Sequence, residues 1–173
     1  MTEKFDGSAP GAASGKPLRA VTVGSGTVDI ITVIPDRDIE QVTMTNVTAS
    51  FLLLEQGRKI EATSITIHPG GGAVNTAVCL ARLGYAVSPI VKLGNDLNAV
   101  KVLETFEEEH LSPDLVRRSE TLGTGITALL SSQHRLASLL SLHAANAIIA
   151  LSAVPHPAFP LSHFVTSTPL QHT

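Results

Sequence analysis

Residues 68–84, HPGGGAVNTAVCLARLG, leave the chain few structural options. Gly70, Gly71 and Gly72 form a run with no Cβ to restrain the backbone. From Ala73 to Leu83 small apolar residues then follow with helical periodicity. Gly84 stands where a left-handed C-terminal cap is wanted. Bare backbone at the mouth of a helix serves close packing, a hinge, or the approach of N–H groups to a ligand. Asn75, on the first turn, offers both a donor and an acceptor, which matches the hydroxyls of a sugar. No Gly-Lys-Ser/Thr follows, so the loop is not of the Walker type.

The flanks set the fold class. AVTVGSGTVDIITVI, residues 20–34, predicts a strand, a tight turn and a second extended segment, closed by Pro35, Asp36 and Asp38. In FLLLEQGRKIEATSITIH, Gln56-Gly57 is expected to join a hairpin, and the alternation of TSITIH puts Ile65 and Ile67 on one, drier face. AVSPIVKLG reads as a short strand. Asn95 and Asp96 then cap a second helix whose stripe is Ala99, Leu103, Phe106 and His110, with Glu104, Glu107, Glu108 and Glu109 on the solvated face. Strand, helix, strand, helix is the pattern of an α/β domain with a largely parallel sheet, interrupted by a β-rich insertion at residues 36–67.

A formal net charge of −3 and the absence of tryptophan argue against a nucleic-acid partner. Cys79 is the only cysteine, which fits a reduced, cytoplasmic setting; within the apolar helix it is expected to be a small buried hydrophobe. Residues 1–18 are rich in Gly, Ala, Ser and Pro, resemble no targeting peptide and are expected to form a disordered tail. Beyond position 121 only Arg135 is charged, and five of the seven histidines lie there. The uncharged stretch at residues 136–154 carries His143 and Asn146 near its centre, which makes a membrane span costly. The spacing of the late histidines offers no compact ligand pair, so no metal site is expected.

A second glycine cluster, GSGTVD at residues 24–29, opens like a dinucleotide fingerprint but ends on Asp29 where that fingerprint has a glycine. A carboxylate there would repel a pyrophosphate, and TVDIITVI is no helix. Asp29 at the end of a strand suits an uncharged, hydroxyl-bearing ligand, with a turn or cap role as the alternative.

GGAVNTAVCLARLGYAVSPIVKLG resembles the first signature of the ribokinase-like (PfkB-type) carbohydrate kinases, with Gly71, Gly72, Ala73, Asn75, Ala77, Gly84 and Gly94 in register. VTVGSGTVDIITVI resembles the family's opening strand, with Asp29 at the place of its substrate-binding aspartate. KLGNDLNA, TGITALL and SLHAANA resemble the segments that follow, with Ala144 where the family has the glycine of Gly-Ala-Asn. The resemblance spans residues 20–170 and covers the N-terminal half of a family member.

It implies a partial three-layer α/β/α sandwich over residues 19–173, with residues 36–67 as a small β-sheet lid. It implies ATP- and Mg²⁺-dependent phosphorylation of a hydroxyl of a sugar, nucleoside or similar small alcohol. Asp29 and Asn75 would bind substrate hydroxyls, and Gly71 and Gly72 would form a hinge whose backbone touches substrate. The family's catalytic base belongs to a Gly-Ala-Gly-Asp motif that this sequence does not contain, so no catalytic residue is assigned. The chain is therefore expected to be a substrate-and-lid half, inactive alone and not binding ATP or Mg²⁺ by itself. Two alternatives stand beside this: a non-catalytic polyol-binding or lid-dimerising module, and a truncated gene product without selected function.

Overall fold

The computed structural model describes residues 17–38, 40–43, 50–132, 137–148 and 164–167. Residues 1–16 of the expected tail and four of the five late histidines lie outside these residues; the fifth, His143, is exposed. The β-branched run around Gly24–Gly26 makes two strands, and they enter different sheets. β1 (Arg19–Val23) is central in a parallel sheet of order β11-β1-β6, with β6 (Ala86–Ile90) and β11 (Phe164–Ser167) on its flanks. β2 (Thr27–Ile34) lies in a four-stranded sheet of order β10-β9-β2-β5, antiparallel to β5 (Ser64–Gly70) and parallel to β9 (Gly125–Ser132). β10 (Ala137–Leu142) closes that sheet antiparallel to β9. β3 (Glu40–Thr43) and β4 (Ser50–Leu53) pair with each other, as do the two-residue strands β7 (Lys92–Leu93) and β8 (Arg117–Arg118).

The helices are α1 (Gly72–Arg82) and α2 (Leu97–Glu108). Both pack on one apolar cluster that joins Ala20 of β1 and Val28 of β2 to Val74 and Ala77 of α1, and to Val102 and Phe106 of α2. Small residues on α1 let it sit close to β1 and β6, while Phe106 supplies the bulk from α2. Arg82 and Glu109 form an ion pair that ties the end of one helix to the end of the other. Among the described residues no helix is long and apolar enough to cross a membrane.

Four expectations need correction. Gly57 does turn, at φ 80, but β4 and β5 do not form a hairpin: β4 pairs with β3, and β5 reaches back to β2. Ile65 and Ile67 are not on a dry face, being 64% and 54% exposed. Cys79 is exposed, because a helical step of 100° per residue turns it about 200° from buried Ala77, onto the side of Asn75. The stripe of α2 is Ala99, Val102 and Phe106 with Leu103 partly buried, and His110 falls beyond the helix end.

The two helix ends use one device. After α1, Gly84 at φ 89 lets its N–H reach Ala81 O and the Tyr85 N–H reach Leu80 O. After α2 the same pair of bonds, His110 N–H to Glu107 O and Leu111 N–H to Phe106 O, forces His110 to φ 55. Left-handed backbone costs an L-residue about 1–2 kcal/mol, which glycine avoids. His110→Gly is therefore expected to raise stability by about 0.5–1 kcal/mol in urea denaturation.

Asp96 fastens the start of α2 to the start of β9. Its carboxylate accepts from Ala99 N at 2.9 Å, from Thr124 N at 2.7 Å and from Thr124 Oγ1 at 2.7 Å. Burial pushes the carboxyl up, but the Thr124 and Ala99 donors and the charge of Arg118 outweigh it and hold it below the usual carboxylate value. A depressed pKa contributes stability that is full above the unfolded value of about 4 and is lost as pH falls through the folded one. Asp96→Asn is expected to cost about 1 kcal/mol at pH 7 and to flatten the loss of stability below pH 4. Denaturation midpoints at pH 7, 5 and 3 check both.

Candidate functional site

The two glycine clusters meet backbone to backbone, with Ser25 between them. Ser25 Oγ accepts the Gly72 N–H at 3.0 Å, and Ser25 O accepts the Ala73 N–H at 3.2 Å. Thr22 Oγ1 donates to Ala73 O at 3.0 Å from the adjoining strand. The N-terminus of α1 is thus capped by the neighbouring loop, and two of the N–H groups that could cradle a phosphate, those of Gly72 and Ala73, are in use. Gly71 adopts φ 92 and ψ 144, and a Cβ there would collide with Ser25 O. The dinucleotide reading of Gly24–Gly26 fails for the expected reason: a strand follows, not a helix.

Asp29 is half-buried on β2, where Thr27 Oγ1 donates to its Oδ1 at 3.0 Å. A Cβ on Gly70 would overlap the Asp29 carboxylate. The first glycine of the run therefore makes room for a side chain, the second for backbone, and the third opens the helix. Asp29, Gly70 and Gly71 are in contact or adjacent, and Asn75 follows on the first turn of α1. Asn75 is exposed and lines a cleft of about 410 Å³ with His68, Lys101, Thr105 and Glu108. Asp29 does not line that cleft. His68 links the two, since it lines the cleft and stands opposite Asp29 in the β2–β5 register.

The register shows more than the motifs do. Ser141 of β10, Thr127 of β9, Asp29 of β2 and His68 of β5 form one row across the sheet, on one face. Thr127 and Ser141 stand 3.3 Å apart, hydroxyl to hydroxyl. None of Thr27, His68, Thr127 or Ser141 stands out in the sequence, because only strand pairing brings them beside Asp29. The described residues hold no group of three or more His, Cys, Asp or Glu able to ligate a metal.

SLHAANA also has a definite place. Asn146 is 1% exposed; its Oδ1 accepts the Gly26 N–H at 3.1 Å and its Nδ2 donates to Gly26 O at 2.9 Å. Ala144, which begins the short 3₁₀ turn Ala144–Ile148, has φ 44, a backbone suited to the glycine that the resemblance places there.

A model of the pfkB family of carbohydrate kinases matches residues 40–157, more than half of the chain. The chain belongs to that family. It is 39% identical over 54 residues to the fructosamine kinase FrlD of Bacillus subtilis, covering 31% of this chain and 19% of the relative. To a deoxyribokinase of Salmonella typhi it is 25% identical over 116 residues, 67% of this chain and 36% of the relative. The ribokinase of Arabidopsis thaliana, solved with ribose and ATP, superposes with a TM-score of 0.61 at 23% identity, over 76% of this chain and 38% of that one. The described fold is that of a partial ribokinase-like α/β domain. The chain spans 36% or less of the length of these two curated relatives.

Two neighbouring glycines are expected to respond differently to one added methyl. Gly71→Ala meets rigid backbone at positive φ and should cost about 2–4 kcal/mol. Gly70→Ala meets a side chain that can rotate, and should cost about 1 kcal/mol or less while displacing the Asp29 carboxylate. Paired denaturation curves decide between them.

Proposed function

We propose that this chain supplies the acceptor side of an ATP-dependent kinase that phosphorylates a hydroxyl of a sugar, nucleoside or related small alcohol. The observation that carries this reading is the joint placement of Asp29 and the Gly70–Gly72 run in a pfkB-family chain. Asp29 accepts hydrogen bonds from acceptor hydroxyls, the backbone at Gly71 and Gly72 lies alongside, and Asn75 contributes an amide. The hydroxyl row Thr127–Ser141 extends the same polar face. Residues 36–67, with the sheet of β2, β5, β9 and β10, form the lid that excludes water from the acceptor. The names of the fructosamine kinase and deoxyribokinase relatives support a small sugar or sugar derivative as acceptor.

The donor side is a separate matter. ATP and Mg²⁺ would supply the transferred phosphoryl group and its charge neutralisation. The α1 N-terminus is a poor fit for a phosphate, because Ser25 already takes the Gly72 and Ala73 N–H groups and the Asp29 carboxylate lies against Gly70. The sequence carries no Gly-Ala-Gly-Asp, so a base that activates the acceptor has no candidate among these 173 residues. The chain acts in the cytoplasm as a substrate-binding half, and phosphoryl transfer needs a group that it does not contain.

A second reading has its own observation. Leu139, Leu140 and Leu142 of edge strand β10 are 63–70% exposed, and Ile65 and Ile67 of the opposite edge are 64% and 54% exposed. Such edges favour self-association through the lid sheet, as in a polyol-binding or dimerising module.

Calorimetry of the 173-residue chain against D-ribose, 2-deoxy-D-ribose, D-fructose and inosine tests the proposal. Binding of one of them should be weakened at least tenfold by Asp29→Asn and by Asn75→Ala, about 1.4 kcal/mol or more each. No phosphorylation of the bound acceptor should accompany it. Turnover of any acceptor with ATP by the isolated chain overturns the assignment of a substrate half.

A further inference from the structure

We propose that Asn146 is a positioning residue for the acceptor site, acting through Gly26 and Ser25 from 120 residues away in sequence. The inference rests on the acceptor reading of Asp29 and Asn75. Gly26 lies between the two halves of that site. On one side Ser25 caps α1, which carries Asn75; on the other Thr27 holds the Asp29 carboxylate. Asn146 takes both polar groups of Gly26, its N–H and its C=O, with one amide. No other common side chain presents a donor and an acceptor side by side at that length.

The surroundings are shaped for this contact. Gly125 lacks the Cβ that would meet Asn146 Nδ2 at 2.5 Å, and the space beside Gly26 is closed by Leu93, Val74 and Val91. Ala145 N–H is held by Gly123 O at 3.0 Å, and Asn146 N–H by His143 O at 2.9 Å, so the turn that carries the amide is itself pinned. A fully satisfied buried network of this kind rigidifies what it touches. Asn146 touches no acceptor group. It sets where Ser25 and Thr27 stand, and they set the N-terminus of α1 and the carboxylate of Asp29.

The test uses the full ¹⁵N-labelled chain with Asn146→Asp, which keeps the size but loses the donor to Gly26 O, and with Ser25→Ala. Val102→Ala, a buried apolar position on α2, serves as the control for a merely structural loss. In both loop variants the Gly72 amide should exchange about tenfold faster relative to Phe106, while the control leaves that ratio unchanged. The Kd of the tightest of the four calorimetric probes should rise about tenfold in Asn146→Asp, and the double variant should lose less than the product of the singles. Unchanged relative protection of Gly72 in Asn146→Asp, with only a lowered Tm, overturns the proposal. If Asn146→Asp does not fold, Gly125→Ala presses on the same amide without a new charge and is judged by the same ratio. A chain that binds none of the four probes defeats the acceptor reading, and the Gly72 exchange ratio still decides the role of Asn146.

Discussion

The structure turns on the contact between two glycine loops that a strand pair and a lid segment separate in sequence. Backbone of residues 70–72 lies against backbone of residues 24–26 more closely than any side chain would allow. Ser25 fastens the contact with its hydroxyl and its carbonyl. It fixes where the N-terminus of α1 stands. β1 and β2 diverge into two sheets at the first loop, and β5 hands over to α1 at the second. The junction of the two sheets is therefore the same point in space as the mouth of the helix.

That geometry decides what the glycines do. A glycine run before a helix invites a phosphate, since free N–H groups and the helix dipole both attract an anion. The Gly72 and Ala73 N–H groups are taken by Ser25, and a carboxylate, Asp29, lies against Gly70. Like charges would meet if a phosphate entered. This arrangement is what supports the proposal of a neutral, hydroxyl-bearing acceptor over an anion at this place.

A second polar arrangement, around Asp96 and Thr124, plays a corresponding part nearby, where Gly125 pairs with Thr27. One carboxylate accepts two hydrogen bonds from Thr124, which tie the loop before α2 to the start of β9, and a third from Ala99 N, which caps α2. Gly94 permits this, since a Cβ there would meet Gly123 Cα at 2.7 Å. The glycines of the signature thus bring distant backbone segments together at two places, and polar side chains, Ser25 and Asp96, then bind the joints.

Much of this was legible in the residues themselves. The strand–turn–strand at Gly24–Gly26, the helix after Gly72, its Gly84 cap and the Asp96 cap all follow from local backbone preferences, which the sequence states directly. Asp29 stands out as a carboxylate at the end of a strand and Asn75 by its place in the signature; their role toward a substrate is part of the proposal. What the sequence could not state is pairing. That β5 joins β2 rather than β4, that His68, Thr127 and Ser141 line up with Asp29, and that Asn146 closes on Gly26 are all long-range facts. Cys79 shows the same limit, because an apolar helix does not announce which of its sides meets the core. Local sequence determined the elements and their ends, since those depend on φ, on caps and on neighbouring side chains. Only the tertiary structure decided which backbones touch, because that depends on strand register and on where a missing Cβ leaves room.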